Sequence, residues 1–100
     1  MKDRHPIYQV RFVKIVAPYT LCVGFNDLTE QVIDFLPVLA GELYAPLRSL
    51  SVFNQVRIDA EVHTLVWPNG ADFDPAMLHD WPENVAALTA RVRAWESQPA

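Results

Sequence analysis

The chain has 100 residues, of which 51% are hydrophobic, and a single cysteine, Cys22. This length and composition predict one domain over residues 1–100 that buries a core without disulfides. The lone cysteine excludes an intramolecular disulfide and a zinc site built from several cysteines. The net charge of −4 argues against a phosphate-binding surface, so nucleic-acid binding by this domain alone is not expected.

The acidic excess lies entirely in the second half of the chain. Residues 1–50 contain five basic and five acidic side chains, whereas residues 51–100 contain three basic and seven acidic ones. A basic protein partner would complement this half. No apolar run approaches the ~20 residues of a membrane span, and the first residues do not lead into a signal-peptide core. We therefore expect a cytoplasmic protein that does not bind membranes.

The first third of the chain predicts three antiparallel strands. Gln9–Val16 is rich in β-branched residues, and its apolar positions change parity midway, which indicates a bulge or a strand covered on both faces. Tyr19–Phe25 alternates cleanly between apolar and small or polar residues. The turn residues Asn26-Asp27-Leu28-Thr29 then lead into a strand at Glu30–Phe35. Short connections favour an antiparallel meander.

Prolines punctuate the middle of the chain. Pro37 favours the start of a short helix over Val38–Leu43, and Pro46 allows only irregular or one-turn structure after it. Phe53–Ala60 alternates like a strand. His63–Trp67 is apolar on both parities, which is typical of a strand covered on both sides.

The last third predicts a turn and two helices. Pro68-Asn69-Gly70 has turn chemistry, and Asp74 before Pro75 predicts the N-cap of a short helix ending at His79. Asp80 and Glu83 have the spacing of a capping box. They precede an amphipathic helix over residues 81–97 whose apolar stripe is Val85, Leu88, Val92 and Trp95.

These elements predict an α+β fold. It has a small, mostly antiparallel sheet of about five strands, a short inserted helix and a C-terminal helix packed against the sheet. The sheet and short helices occupy residues 8–80.

Carboxylates and an imidazole lie close together in sequence at Asp72, Asp74 and His79, the types of ligand that divalent cations take. A purely structural alternative assigns Asp74 to the helix cap and Asp72 to pinning the Asn69-Gly70 turn. The structural interpretation is preferred, because an Asp-x-Asp pair is common. No nucleophile with a matching base and acid is evident, so no catalytic residue is assigned and no cofactor is expected.

Three tryptophans, Trp67, Trp81 and Trp95, are open to two interpretations. All three can belong to the core, or those near the last helix can anchor an interface with a partner or a second copy of the chain. Asn69 and Asp72, in the turn after Trp67, are polar candidates for the same interface.

The chain also resembles a bacterial family of uncharacterised proteins, domain of unknown function 2442, over about residues 8–80. The most specific part of the resemblance is the segment Thr64–Pro75, which reads TLVWPNGADFDP. Two earlier segments add to it, Leu21–Phe35 and Leu47–Asp59. One departure is the hairpin turn Asn26-Asp27-Leu28-Thr29, where the family often has glycine.

The resemblance implies a small α+β domain, found alone or joined to a C-terminal helix-turn-helix module. It also implies genes placed beside another small uncharacterised protein, as in toxin–antitoxin pairs. The residues after Pro75 are too few for a full helix-turn-helix domain, and the tail Asp80–Ala100 is expected to be one helix, so DNA binding is not carried over.

The predicted function is therefore a non-enzymatic protein-interaction module, antitoxin-like or regulatory, whose partner is a small basic protein encoded nearby. Homo-oligomer assembly is a further possibility for such a module. The alternative is a metal- or small-ligand-binding protein that uses Asp72, Asp74 and His79.

Overall fold

A computed structural model describes residues 7–96, and the side chains of residues 7–94. It has the predicted α+β fold, but the five strands are divided between two antiparallel sheets. The larger sheet has the order β1-β2-β3, with β1 at Val10–Ala17, β2 at Thr20–Phe25 and β3 at Glu30–Asp34. The smaller sheet pairs β4 (Arg57–Ile58) with β5 (Leu65–Val66).

The helices follow the first sheet and end the fold. Short helices α1 and α2 span Gly41–Tyr44 and Leu50–Phe53, and 3-10 helices span Leu36–Val38 and Ala45–Arg48. Helix α3 spans Pro75–His79, and α4 spans Trp81–Glu96, four turns long as predicted. Within residues 7–96, no helix combines the length and the apolar character needed to cross a membrane.

The large sheet buries one face, because β2 alternates as the sequence predicts. Leu21, Val23 and Phe25 are buried against the core, and Ile33 on β3 lies opposite Leu21. The register between β1 and β2 shifts at two places, and β1 is mostly exposed, so of the two alternatives for this strand the structure has the bulge and not cover on both faces. The strand β1 itself buries little, because Val10 is its only fully buried residue.

The core is a cluster of aromatic rings between the sheet and the helices. Phe35, Phe53 and Trp67 are at most 1% exposed, and Phe73 and Trp81 are at most 7% exposed. The Trp67 indole N–H donates a 2.8 Å hydrogen bond to the carbonyl of Phe53. A buried ring with a polar atom therefore joins the core without leaving that atom unpaired.

Two predicted elements are wrong in extent. The strand over Phe53–Ala60 is in fact the end of α2 followed by the two residues of β4, because Phe53 must turn into the aromatic core. The strand over His63–Trp67 shrinks to β5. His63 has a left-handed backbone with φ 54°, and the chain reverses there.

The helix predicted over Val38–Leu43 is also displaced. Pro37 lies in the first turn of the 3-10 helix over Leu36–Val38, and Ala40 is extended. Helix α1 begins only at Gly41, whose φ of 87° suits glycine. Leu39 and the extended Ala40 are both buried.

The β2–β3 turn holds a leucine in an unfavourable conformation. Leu28 has φ 71° and is 93% exposed. A left-handed backbone costs a residue with a Cβ about 1–2 kcal/mol, whereas asparagine tolerates it. We expect Leu28→Asn to raise the free energy of unfolding by about 1 kcal/mol. Urea denaturation at low protein concentration measures this, and an unchanged or lower stability would contradict the strain at this position.

Candidate functional site

The segment from Trp67 to Pro75 is folded as a pinned turn. Gly70 has φ 91°, and its amide donates to the Trp67 carbonyl at 3.0 Å. The Asn69 carboxamide accepts from the Ala71 amide at 3.2 Å and donates to the Leu43 carbonyl at 2.8 Å. Asn69 therefore pins the turn and ties it to α1, a role that the structural interpretation of the sequence gives to Asp72.

The two carboxylates of this segment follow the turn. Asp74 accepts a 2.8 Å hydrogen bond from the Ala76 amide, which confirms the predicted N-cap of α3. The Asp72 carbonyl accepts a 2.7 Å hydrogen bond from the Tyr44 hydroxyl. Partial burial, and then the negative charge of Asp72, raise the pKa of the Tyr44 phenol, so the phenol stays a hydrogen-bond donor at neutral pH.

Beside these carboxylates lies a cavity of about 270 Å³, here called the α4 groove, between α4, α3 and the stretch from Val38 to Tyr44. Four polar side chains border it: Tyr44, Asp72, Asp74 and Arg91. The rest of its lining is apolar, from Val38, Ala40, Phe73, Met77, Leu88 and Val92. This volume is close to the lower end of the range for small-ligand sites.

A shallower depression adjoins the α4 groove. It shares Asp74 and Met77 with the groove and adds Ala76, Asp80 and Asn84. Three carboxylates, those of Asp72, Asp74 and Asp80, thus border the two openings, against the single guanidinium of Arg91. The border of the apolar groove therefore carries more acidic than basic side chains.

A separate cluster surrounds His79. Its Nε2 lies 2.8 Å from an Asp27 oxygen, and its Nδ1 lies 2.8 Å from an Asp80 oxygen. Tyr8 stacks on the imidazole with ring centroids 3.7 Å apart, and Phe25 meets it edge-on at 5.1 Å. The imidazole joins the β2–β3 turn to the corner between α3 and α4.

The protonation of this cluster follows from its geometry. Burial lowers the pKa of His79, but hydrogen bonds to Asp80 and Asp27 and their charges outweigh burial, so its pKa lies above the usual 6.5. The Thr29 hydroxyl, more than His79, lowers the pKa of Asp27 from 3.8 to about 2. Only an imidazolium can donate to both carboxylates at once, so His79 carries the charge that holds the cluster together.

The structure does not bring Asp72, Asp74 and His79 together as one set. Asp72 and Asp74 border the α4 groove. His79 instead contacts Asp27 through Nε2 and Asp80 through Nδ1. Among the described residues, no group of three or more histidine, cysteine or acidic side chains is arranged to hold a metal ion.

The tryptophans are placed unequally. Trp67 and Trp81 are 1% and 6% exposed and lie in the core. This agrees with the first interpretation of the sequence, in which the tryptophans belong to the core. Neither indole presents a surface that a partner could contact. The side chain of Trp95 lies outside the described part of the chain, although its backbone belongs to α4.

Sequence patterns carry no signal for the His79 cluster. Asp27 and His79 are 52 residues apart. The spacing of Asp80 and Glu83 indicates only a capping box. In the structure the Asp80 carbonyl accepts a 2.9 Å hydrogen bond from the Glu83 amide, and the Asp80 carboxylate contacts His79. In the sequence, Leu88 and Val92 of the α4 groove belong to the apolar stripe of the last helix. The stripe alone does not indicate whether these residues pack against the core or border a groove.

Comparison with known proteins adds the family. No curated protein and no solved structure matches the chain. The model of a family described as "Protein of unknown function (DUF2442)" matches residues 10–83, from β1 to the first turn of α4. This match covers most of the chain and includes the whole pinned turn from Trp67 to Pro75. The chain therefore belongs to the DUF2442 family.

Proposed function

We propose that this protein is a non-enzymatic interaction module that binds another protein through the α4 groove. The observation that carries the proposal is an apolar cavity of about 270 Å³ with an acidic border. An apolar side chain of the partner would fill the groove, and basic residues on either side of it would face Asp72, Asp74 and Asp80. Such an arrangement combines a buried anchor with a charged rim.

The polar groups near the groove support a binding role over a catalytic one. Asp74 caps α3, and Tyr44 holds the Asp72 carbonyl. The nearby imidazole of His79 is held by two carboxylates. These groups are engaged in shaping the surface, which is what a rigid docking site requires.

The partner we propose is a small basic protein encoded beside this one, in an antitoxin-like or regulatory pair within the cytoplasm. The net charge of −4 would speed and orient the encounter with such a partner. Co-expression of the tagged protein with its adjacent genes, followed by affinity capture and mass spectrometry, tests this. Capture of a basic partner in stoichiometric amount supports the proposal. If none of the neighbouring gene products is captured, the proposal is contradicted.

Charge removal at the groove border provides the quantitative test. Asp72→Asn with Asp74→Asn removes two charges and keeps the α3 cap, since asparagine caps as well as aspartate. We expect the affinity for the partner to fall roughly tenfold, because each exposed charge contributes about 1 kcal/mol or less to binding. The affinity of the variant should also depend less on salt concentration. The matched control is Asp34→Asn, an exposed acid on β3. An equal loss in the control would refute the role of the groove.

Filling the groove tests the apolar half of the proposal. Leu88 lines the cavity from α4 and is half-buried, so Leu88→Trp is expected to occupy the space that the anchor needs. Ala90→Trp, at an exposed position of the same helix, is the control. Thermal unfolding of both variants confirms that the fold persists. Unimpaired binding by a folded Leu88→Trp protein would exclude the groove as the docking site.

A second candidate is a small ligand or divalent cation at the same border, because Asp72 and Asp74 share one cavity with Tyr44 and Arg91. Calorimetric titration with Mg²⁺, Mn²⁺ and Zn²⁺ tests the cation. Binding that the double asparagine variant abolishes would support this candidate, and no heat with any of the three would remove the cation.

A further inference from the structure

The β2–β3 turn presents a leucine that its own chain does not cover. Leu28 is 93% exposed and has φ 71°. The turn fixes this geometry, because the Leu28 amide donates to the Phe25 carbonyl at 3.0 Å and the Phe25 amide donates to the Thr29 carbonyl at 2.9 Å. The third residue of such a loop is left-handed, and glycine is favoured there. Leucine at this position is unfavourable both in conformation and in exposure.

The turn that carries Leu28 is held rigidly. The Asn26 side chain accepts from the Gln9 amide at 3.0 Å and donates to the Ile7 carbonyl at 3.1 Å. The Asp27 carboxylate accepts from the Thr29 hydroxyl at 2.6 Å and contacts His79 at 2.8 Å. Leu28 is therefore presented in one place rather than on a loose loop, which lowers the entropic cost of docking against it.

A cavity of about 470 Å³ lies beside Leu28. Its lining includes the buried Phe25, Phe12, which is 40% exposed, and the polar turn residues Asn26 and Thr29. The Phe12 ring lies directly over Gly24, where any Cβ would collide with it. Two charged residues of opposite sign, Arg11 and Glu30, border the same cavity and are exposed.

We infer that this surface, the turn patch formed by Arg11, Phe12, Leu28 and Glu30, binds a second copy of the chain in a two-fold dimer. A surface that meets its own copy must be complementary to itself. The turn patch satisfies this condition, because it offers a protruding apolar residue, Leu28, beside a cavity that the Phe12 ring borders, and a cation, Arg11, together with an anion, Glu30. Each Leu28 packs against Phe12 of the other copy, and each Arg11 faces Glu30 of the other copy.

The dimer is distinct from the proposed partner complex. It uses the ends of β1 and β3 and the turn between β2 and β3, and it leaves the α4 groove of each copy to the partner. Its contact set is small, so the dimer is at the weak, concentration-dependent end of protein interfaces.

The test of the apolar contact is sedimentation velocity over a series of protein concentrations. The wild-type chain is expected to dimerise reversibly, and Leu28→Asn is expected to weaken the dimer at least tenfold while the stability of the monomer rises. Val62→Asn, at an exposed loop position with 61% exposure, is the control that keeps the dimer. A wild-type chain that is monomeric at every soluble concentration would overturn the inference.

A pair of charge reversals tests the two-fold arrangement itself. Arg11→Glu makes two acidic side chains face each other at both symmetry-related contacts, and Glu30→Arg makes two basic side chains face each other there, so each variant alone is expected to be monomeric. In a mixed dimer of the two variants, each of the two contacts pairs one acidic side chain of the Arg11→Glu chain with one basic side chain of the Glu30→Arg chain, so both facing pairs are attractive. An equimolar mixture of the two variants is therefore expected to form a 1:1 dimer. Dimers of either single variant as tight as the wild type, or a mixture that stays monomeric, would refute the proposed pairing.

Discussion

Phe35→Ala is expected to lower the free energy of unfolding by about 3–5 kcal/mol, the range for removal of a fully buried aromatic ring. Phe35 is completely buried. Its ring centroid lies 5.9 Å from Phe53, 6.0 Å from Trp67, 5.2 Å from Phe73 and 5.4 Å from Trp81. Loss of this ring leaves a cavity among four bulky side chains that cannot easily close it.

Chemical denaturation followed by tryptophan fluorescence measures the change, since Trp67 and Trp81 lie beside the substituted ring. Phe12→Ala is the matched control, because Phe12 is 40% exposed on the outer face of the large sheet. This control is expected to cost about 1 kcal/mol, since it removes less buried area. Comparable losses in the two variants would show that the aromatic cluster is not the centre of stability.

The His79 cluster is expected to make stability depend on pH on both sides of a plateau. The pKa of His79 is raised above 6.5, so its contribution is fully present below pH 6.5 and is lost as the pH rises through the higher folded value. The pKa of Asp27 is lowered from 3.8 to about 2, so its contribution is present above pH 3.8 and is lost as the pH falls through about 2. The plateau therefore lies between about pH 4 and 6.5.

His79→Phe isolates the titration from the packing. Phenylalanine keeps a ring stacked on Tyr8 and edge-on to Phe25, but it has no proton to lose and no N–H donor for Asp27 or Asp80. We expect melting temperatures of this variant to lack the decline above pH 6.5 that the wild-type protein shows. Asp27→Asn removes one of the two charges that raise the pKa of His79, so its decline above pH 6.5 should be smaller and should end at a lower pH than in the wild-type protein.

Melting temperatures collected from pH 3 to pH 9 in one buffer series at constant ionic strength decide the matter. A wild-type profile that is flat above pH 6.5, or a His79→Phe profile that keeps the decline, would contradict an imidazolium between the two carboxylates.

The cluster also connects the two proposed binding surfaces. Asp80 borders the depression next to the α4 groove, and its carboxylate contacts His79. The other nitrogen of the His79 ring contacts Asp27, the residue directly before Leu28 of the turn patch. Substitutions at His79 therefore bear on the position of the turn as well as on stability.

The sequence alone is sufficient wherever one local rule governs structure. Alternation of side chains predicts β2, because a strand that buries one face must repeat every two residues. Pro68-Asn69-Gly70 predicts the turn, and Asp74 before Pro75 predicts the start of α3, because these backbone and capping preferences act within a few residues. The family resemblance, resting on the same stretch, is confirmed over residues 10–83.

Local pattern misleads where distant packing decides. Phe53–Ala60 alternates like a strand, yet Phe53 ends a helix because its ring completes the aromatic core. Asp72, Asp74 and His79 are close in sequence, but α3 places His79 beside Asp27 rather than beside the α4 groove.

The sequence by itself thus determined the fold class, the Pro68-Asn69-Gly70 turn and the starts of α3 and α4, which depend on neighbours within one turn or one strand. Only the tertiary structure decided which residues meet: Asp27 with His79, Tyr44 with Asp72, and Leu28 with the cavity beside Phe12. The physical reason is that such contacts join residues up to 52 positions apart. Their free energy depends on how whole elements pack, and no local periodicity records it.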